Sequence, residues 1–170
     1  MKNIEKIVHW YAFVTRPRHE KKVKSYLDGA GIETYLPLKK TLNQWKDRKK
    51  WVESPLFSCY IFAKIPYIYR YDVLKTTGVV RIVSFNNRPT PVLDEEIEAI
   101  KLFLASNIDV NVHDGFVKGD DVRINSGPLS GMEGYLVDIR GRKWFELYIS
   151  AIGKSVLVDF TENIVKKVQK

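Results

Sequence analysis

Two rhythms of apolar and polar residues divide this chain. Up to about residue 105, long apolar runs alternate with helical stripes. Trp10-Tyr11-Ala12-Phe13-Val14 is apolar on both faces, which predicts a central strand. Val23, Tyr26, Leu27 and Ala30 then recur at helical spacing, with Lys21, Lys22 and Lys24 turned outward. Pro17 suits a first helical position, and Gly29 and Gly31 offer a stop. Residues 32–38 read as a second strand, 39–50 as an exposed basic excursion, and 56–65 as a third, strongly apolar strand. A helix over 67–77 ends at Gly78, and 79–85 reads as a fourth strand. Asp94 can cap a last helix, with Glu95 and Glu96 at its positive end and Ile97, Ile100 and Leu104 as its stripe. The order β-α-β-β-α-β-α predicts a split β-α-β arrangement around a four-stranded, mostly antiparallel sheet.

Beyond residue 116 the helical period disappears. Short strands near 121–125, 135–139, 144–149, 155–160 and 164–168 predict a small closed barrel, which hides its edges. Val156, Val158 and Ile164 are poor helix material. The stretch 106–115 is polar and turn-prone and reads as a linker. The fold class is therefore α+β, with domains at 1–105 and 116–170. Between the first two barrel strands lies a loop with glycines at 127, 131 and 134. Pro128 fixes its own φ and pushes Gly127 toward an extended conformation, so backbone shape governs this loop.

Charge adds a partner class. The 170 residues carry 28 Lys and Arg against 20 Asp and Glu, a net +8, which favours a polyanion such as nucleic acid. A single cysteine, Cys59, excludes an intrachain disulfide and suits a reducing, cytoplasmic setting. No signal-peptide pattern and no membrane-length apolar run is present, so no membrane partner is expected. His9, His19 and His113 are isolated, and no metal-ligand spacing, Walker pattern or Rossmann pattern occurs. Asp120 and Asp121 are adjacent in a strand and point opposite ways. Neither an enzyme nor a cofactor is expected.

Several motifs in order resemble the NusG family, an N-terminal NGN domain followed by an SH3-like KOW domain. They are Trp10-Tyr11, the run from Leu56 to Phe62, Gly78-Val79, the stretch 89–100, and the loop of Gly127, Pro128, Gly131 and Gly134. Two departures stand out. The family commonly has Pro-Gly where this chain has Ser58-Cys59, and Phe where it has Leu129. The resemblance implies a non-enzymatic transcription elongation or antitermination factor. Its NGN domain would ride on the clamp helices of the largest RNA polymerase subunit and suppress pausing. The Ser58-Cys59 departure and the basic charge lean toward a specialised paralog of the RfaH or UpxY kind, acting at long operons such as surface polysaccharide loci. A housekeeping elongation factor and a ribosome-associated RNA-binding protein are the alternatives. The KOW domain would meet a ribosomal protein or Rho, and Arg123, Arg140, Arg142, Lys143 and Trp144 are its candidate contacts to RNA or a protein partner.

Four groups carry the expected contacts. An apolar patch for the clamp comprises Val14, Phe57, Tyr60, Ile82 and Phe85, since a docking helical hairpin needs aromatic anchors. Core packing competes with this reading, most directly for Tyr60 and Ile82. The basic excursion (Lys39, Lys40, Lys46, Arg48, Lys49 and Lys50, with Trp45 and Trp51) can hold a phosphate backbone and stack on a base. Arg16, Arg18, His19 and Lys22, with Thr76 and Thr77, occupy the region that reads non-template DNA in specialised paralogs. Arginine there can contact a guanine edge. Tyr69, Arg70 and Tyr71 resemble the region that meets the opposite polymerase pincer.

Overall fold

The computed structural model describes residues 7–44, 48–106, 110–114, 119–124, 130–139, 142–159 and 165–167. Of the residues singled out above, Trp45, Lys46, Gly127, Pro128, Leu129, Arg140 and Ile164 lie outside these. The chain forms two compact units, Met1–Asp94 and Glu95–Lys170.

The first unit is built on strand β1 (Val8–Thr15). Helix α1 (Glu20–Gly29) follows, beginning three residues after Pro17. The second strand is split. Strand β2 (Glu33–Tyr35) joins the main sheet, whereas β3 (Leu38–Gln44) leaves it and pairs with β4 (Lys49–Pro55). The expected basic excursion is thus a regular β-hairpin. The third main strand, β5 (Tyr60–Pro66), starts later than its apolar run suggests, because Leu56 and Phe57 are spent on a buried turn before it. The expected helix over 67–77 shortens to a 3-10 turn (Tyr67–Tyr69) and α2 (Arg70–Leu74). The fourth strand is broken in two. Strand β6 (Val79–Ile82) lies in the sheet, while β7 (Ser84–Phe85) forms a small hairpin with β8 (Arg88–Pro89). Asn86 and Asn87, both at positive φ, make the turn between them. Strand β9 (Pro91–Val92) returns to pair with β1. The main sheet runs β2-β5-β1-β6, with β9 beside β1.

Alternation along β1 sets the two faces of this sheet. Tyr11 and Phe13 join Ile61, Ala63 and Ile65 of β5 against Val23 and Leu27 of α1 and Val73 of α2. Burying a side chain such as Phe13 stabilises by about 1.5–3 kcal/mol. The opposite face carries Trp10, Ala12 and Val14 beside Lys64, Phe62 and Tyr60. Phe62 packs there against Tyr35 and Phe57, with ring centroids 6.4 and 6.0 Å apart.

The second unit begins within α3 (Asp94–Ala105), whose Phe103 meets Phe145 edge-on at 6.0 Å. The stretch expected as a linker holds a strand, β10 (Val110–Asp114). Strands β11 (Asp120–Ile124), β12 (Glu133–Ile139), β13 (Arg142–Ile149), β14 (Lys154–Asp159) and β15 (Val165–Lys167) follow. They form one six-stranded antiparallel sheet in the order β10-β14-β13-β12-β11-β15. Val122, Ile124, Val137, Phe145, Val156 and Val158 are its buried centre. The loop glycines do different work. Gly131 sits at φ +89°, a conformation that favours glycine. Gly134 instead allows close approach: a Cβ there would run into the Phe145 ring and stand 2.6 Å from the Glu146 carbonyl oxygen.

Candidate functional site

The residues expected to form one apolar patch separate. Val14 and Tyr60 are direct cross-strand partners on one face, and Arg81 lies across from Val14 on its other side. Both Val14 and Tyr60 are half-buried. Ile82 pairs with Phe13 and packs into the α1-side core, so it belongs to the opposite face. Phe57 is only 1 % exposed. Its ring is spent against Phe62, so it supports the sheet from within and offers no surface of its own. Phe85 is the reverse case, 74 % exposed on the short β7–β8 hairpin.

Four residues fix the turn that leads into Tyr60. Cys59 occupies φ +66°, where a Cβ is strained. Its amide donates to the buried Glu20 carboxylate at 2.8 Å, and its carbonyl accepts from the Thr15 amide at 2.8 Å. A side chain is thus held in a left-handed conformation by two hydrogen bonds. The Tyr60 amide closes the turn onto the Phe57 carbonyl.

The loop at the start of α1 meets the 76–78 turn through its backbone. The Arg16 amide donates to the Gly78 carbonyl at 2.8 Å, which lays the 16–19 loop along the 76–78 turn. Gly78 is at φ +101°, and a Cβ on it would come within 3.2 Å of the His19 side chain. Arg16, Arg18, Lys22 and Thr77 are exposed, and His19 and Thr76 are half-buried. Arg18 is itself at φ +62°, so the loop is bent sharply at a cationic residue. His19 Nδ1 lies 3.1 Å from the Pro17 carbonyl oxygen.

The β3–β4 hairpin sorts its side chains by face. On one, Lys40 opposes Glu53, Leu42 opposes Trp51 and Gln44 opposes Lys49. Lys39 and Lys50 alternate to the other. Trp51 is 66 % exposed, beside the exposed Leu42. Lys40 pairs with Glu53 at 3.7 Å, leaving Lys49 as the cation beside Trp51 on that face. Arg48 is exposed at the start of β4. Lys21 of α1 donates to the Glu53 carbonyl at 2.9 Å and ties the base of the hairpin to the helix. An exposed indole between lysines on a projecting ribbon can stack on a base while cations hold its phosphates.

Around α2, the Arg70 guanidinium carbon lies 4.0 Å from the Tyr67 ring centre and 4.2 Å from that of Tyr71. Tyr69 is exposed beside them. Tyr67 in turn meets the buried Tyr11, with centroids 6.1 Å apart. Burial, and then the neighbouring Tyr67, push the Tyr11 hydroxyl above its usual pKa. In the C-terminal unit, Arg123 pairs with Glu133, Arg142 and Lys143 are exposed on β13, and Trp144 is half-buried. Among the described residues no cluster of three or more His, Cys, Asp or Glu is placed to hold a metal. No helix among them is long and apolar enough to cross a membrane.

The family model described as "Transcription termination factor nusG" matches residues 8–101, more than half of the chain. The chain belongs to the NusG family. Its similarity extends well past the matched segment. A "Transcription termination/antitermination protein NusG" of Borreliella burgdorferi is 24 % identical over 180 residues, covering 94 % of this chain and 98 % of that protein. The NusG of Streptococcus pyogenes is 28 % identical over 166 residues, covering 88 % and 90 %. Among solved structures, "Domain interaction in Thermotoga maritima NusG" shares the fold with a TM-score of 0.54 at 24 % identity, over 97 % of this chain and 99 % of that one. The NusG relatives thus share both the N-terminal sheet and the β-rich unit that follows, where a KOW domain is expected.

Arg81 was not singled out from the sequence, whereas Tyr69, Arg70 and Tyr71 were; the structure adds the stacking of Arg70 on Tyr67 and Tyr71. Arg81 follows only from the strand register that sets it across from Val14. The Tyr67, Arg70 and Tyr71 spacing of three and four residues was a usable helical signal.

Proposed function

We propose that this NusG-family protein binds RNA polymerase through the Val14–Tyr60 face of its N-terminal domain and there suppresses pausing and termination. The observation that carries the reading is the pairing of Val14 with Tyr60 across β1 and β5. It puts an aliphatic and an aromatic side chain on one partly open face, the kind of anchor a helical hairpin such as the clamp helices needs. Phe85 supplies a second, separate anchor. The domain boundaries 1–105 and 116–170 belong to this proposal, with the C-terminal domain meeting a ribosomal protein or Rho.

Contact with non-template or upstream DNA is proposed for two places. One is the group of Arg16, Arg18, His19, Lys22, Thr76 and Thr77, which the backbone bond from Arg16 to Gly78 supports. The other is the hairpin bearing Lys39, Lys40, Arg48, Lys49, Lys50 and Trp51. We assign action at selected long operons, such as surface polysaccharide loci, on the Ser58-Cys59 departure and the net +8 charge.

Purified protein should associate with core RNA polymerase at low ionic strength and lengthen transcripts through pause sites in a single-round assay. Absence of association ends the proposal. A genome-wide occupancy map confined to a few long operons supports the specialised role, whereas occupancy of most transcribed genes assigns a housekeeping one. Co-purification with nuclease-treated ribosomal subunits alone would favour the ribosome-associated reading.

A further inference from the structure

One short segment holds two different turns at once. Strand β1 ends in a register shift between Val14 and Thr15. Past it, the Thr15 amide donates to the Cys59 carbonyl and the Arg16 amide to the Gly78 carbonyl, each at 2.8 Å. Consecutive amides thus bind the turn that delivers Tyr60 and the turn that carries Thr76 and Thr77. A little further on, Glu20 comes back to the first of these turns, its carboxylate accepting the Cys59 amide at 2.8 Å. Thr15 and Glu20 are both buried. Between them run the exposed Arg16 and Arg18, with the chain bent at Arg18 (φ +62°). Cys59 itself sits at φ +66°, a conformation that strains any residue with a Cβ.

We propose that Glu20 is a positioning residue through which an unpaired DNA strand on the 16–19 loop firms the turn carrying Tyr60, so that strand contact and polymerase grip strengthen each other. This rests on the polymerase and DNA readings above and adds the coupling between them. The bistable element is the Cys59 turn. Closed, it is strained and held by Thr15 and Glu20; open, Cys59 relaxes to negative φ and both partners come free. Their release loosens the loop that presents Arg16 and Arg18. A strand binding those arginines then has a more mobile loop to order, so it binds the closed form more tightly. The same closed form fixes Tyr60 against Val14 before any helix docks on them. Linkage makes the effect mutual: whatever the strand adds to polymerase affinity, polymerase adds to strand affinity.

Cys59 is the only cysteine in the sequence and is half-buried in this turn, so its thiol reports opening. Full-chain protein is labelled with a thiol reagent, alone and with a saturating mixed-sequence DNA single strand whose binding is followed by anisotropy. The strand should slow labelling of the wild type about 5-fold or more. Arg16→Gln combined with Arg18→Gln keeps the backbone bonds but removes the cations, and should lose most of that protection. Protection should shrink in Glu20→Gln and vanish in Glu20→Ala. Both variants should also bind core polymerase more weakly, in the same order. A wild-type rate unchanged by bound strand overturns the inference and leaves the separate polymerase and DNA readings standing. Equal protection in wild type and Glu20→Gln means that the strand merely covers the thiol, and also overturns it; this comparison decides even if Glu20→Ala fails to fold. Full protection in the double arginine variant overturns it as well. Failure of the wild-type protein to bind the strand, or to bind polymerase, overturns the corresponding reading and the coupling with it.

Discussion

The buried carboxylate of Glu20, at the start of α1, accepts the amide hydrogen of Cys59 at 2.8 Å, a contact spanning 39 positions of sequence. It joins the helix to the turn that delivers Tyr60 to the sheet, and it holds Cys59 at φ +66°. Removing the acceptor leaves a part-buried donor without its partner. Glu20→Ala should therefore cost about 1–3 kcal/mol in urea unfolding. Glu20→Gln, which keeps a carbonyl acceptor, should cost less. Cys59→Gly should stabilise by about 0.5–1 kcal/mol, since the relief of left-handed strain exceeds the added freedom of the unfolded chain.

Phe57→Ala should destabilise the protein by about 3–5 kcal/mol, the usual result of emptying an aromatic site in a core. Affinity of the folded fraction for polymerase should change little. Phe85→Ala should behave the opposite way, with an unchanged melting temperature and polymerase binding weaker by about 2 kcal/mol.

Gly134→Ala should destabilise the C-terminal unit by about 2 kcal/mol, because the new methyl overpacks the Phe145 ring and the Glu146 carbonyl. Circular dichroism and a thermal melt of the full chain would show the loss. Gly131→Ala should also destabilise, through φ alone, since among the described residues no atom beyond its chain neighbours lies within 4 Å of its Cβ position.

Neutralising Lys49 and Lys50 as glutamines should flatten the salt dependence of single-stranded DNA binding. The slope of log K against log salt should fall by about 1.4, or about 0.7 for each lysine that no longer neutralises a phosphate. Trp51→Ala should remove about 1–3 kcal/mol of affinity while leaving that slope as it was. A slope unchanged by the double substitution would show that the hairpin does not grip phosphate.

Lys24 donates to Asp28 at 2.6 Å, and Thr34 donates to its other oxygen; these bonds hold the carboxyl below its ordinary value of 3.8. A depressed acid stabilises fully above its unfolded pKa, and that contribution disappears as pH falls through the folded value. The stability gap between wild type and Asp28→Asn should thus be constant near neutrality and close below about pH 4. The pair is solvent-exposed, so the gap should also shrink in high salt.

The strands that read most clearly from sequence are those buried on both faces. Trp10 to Val14 and Tyr60 to Ile65 announce themselves as apolar runs. The β3–β4 hairpin does not, since Lys39, Lys40, Lys49 and Lys50 place cations on both its faces and leave no period-2 contrast. Strand β10 was hidden for a related reason: Val110 and Val112 alternate with Asn111 and His113 over too few residues to outweigh the turn-forming composition around them. The Phe57 side chain was legible as apolar but its burial was not. Burial there depends on Phe62, which shares its strand with a half-buried Tyr60. The meeting of Arg16 with Gly78 was also out of reach, because a hydrogen bond across 62 positions leaves no local trace.

The β3–β4 ribbon bonds to itself and touches α1 through Lys21, without entering the ladder of the main sheet. Such an arm can grow or shrink by pairs of residues with no change of register in the sheet from which it springs. Its length is therefore free to differ among relatives that keep the same body.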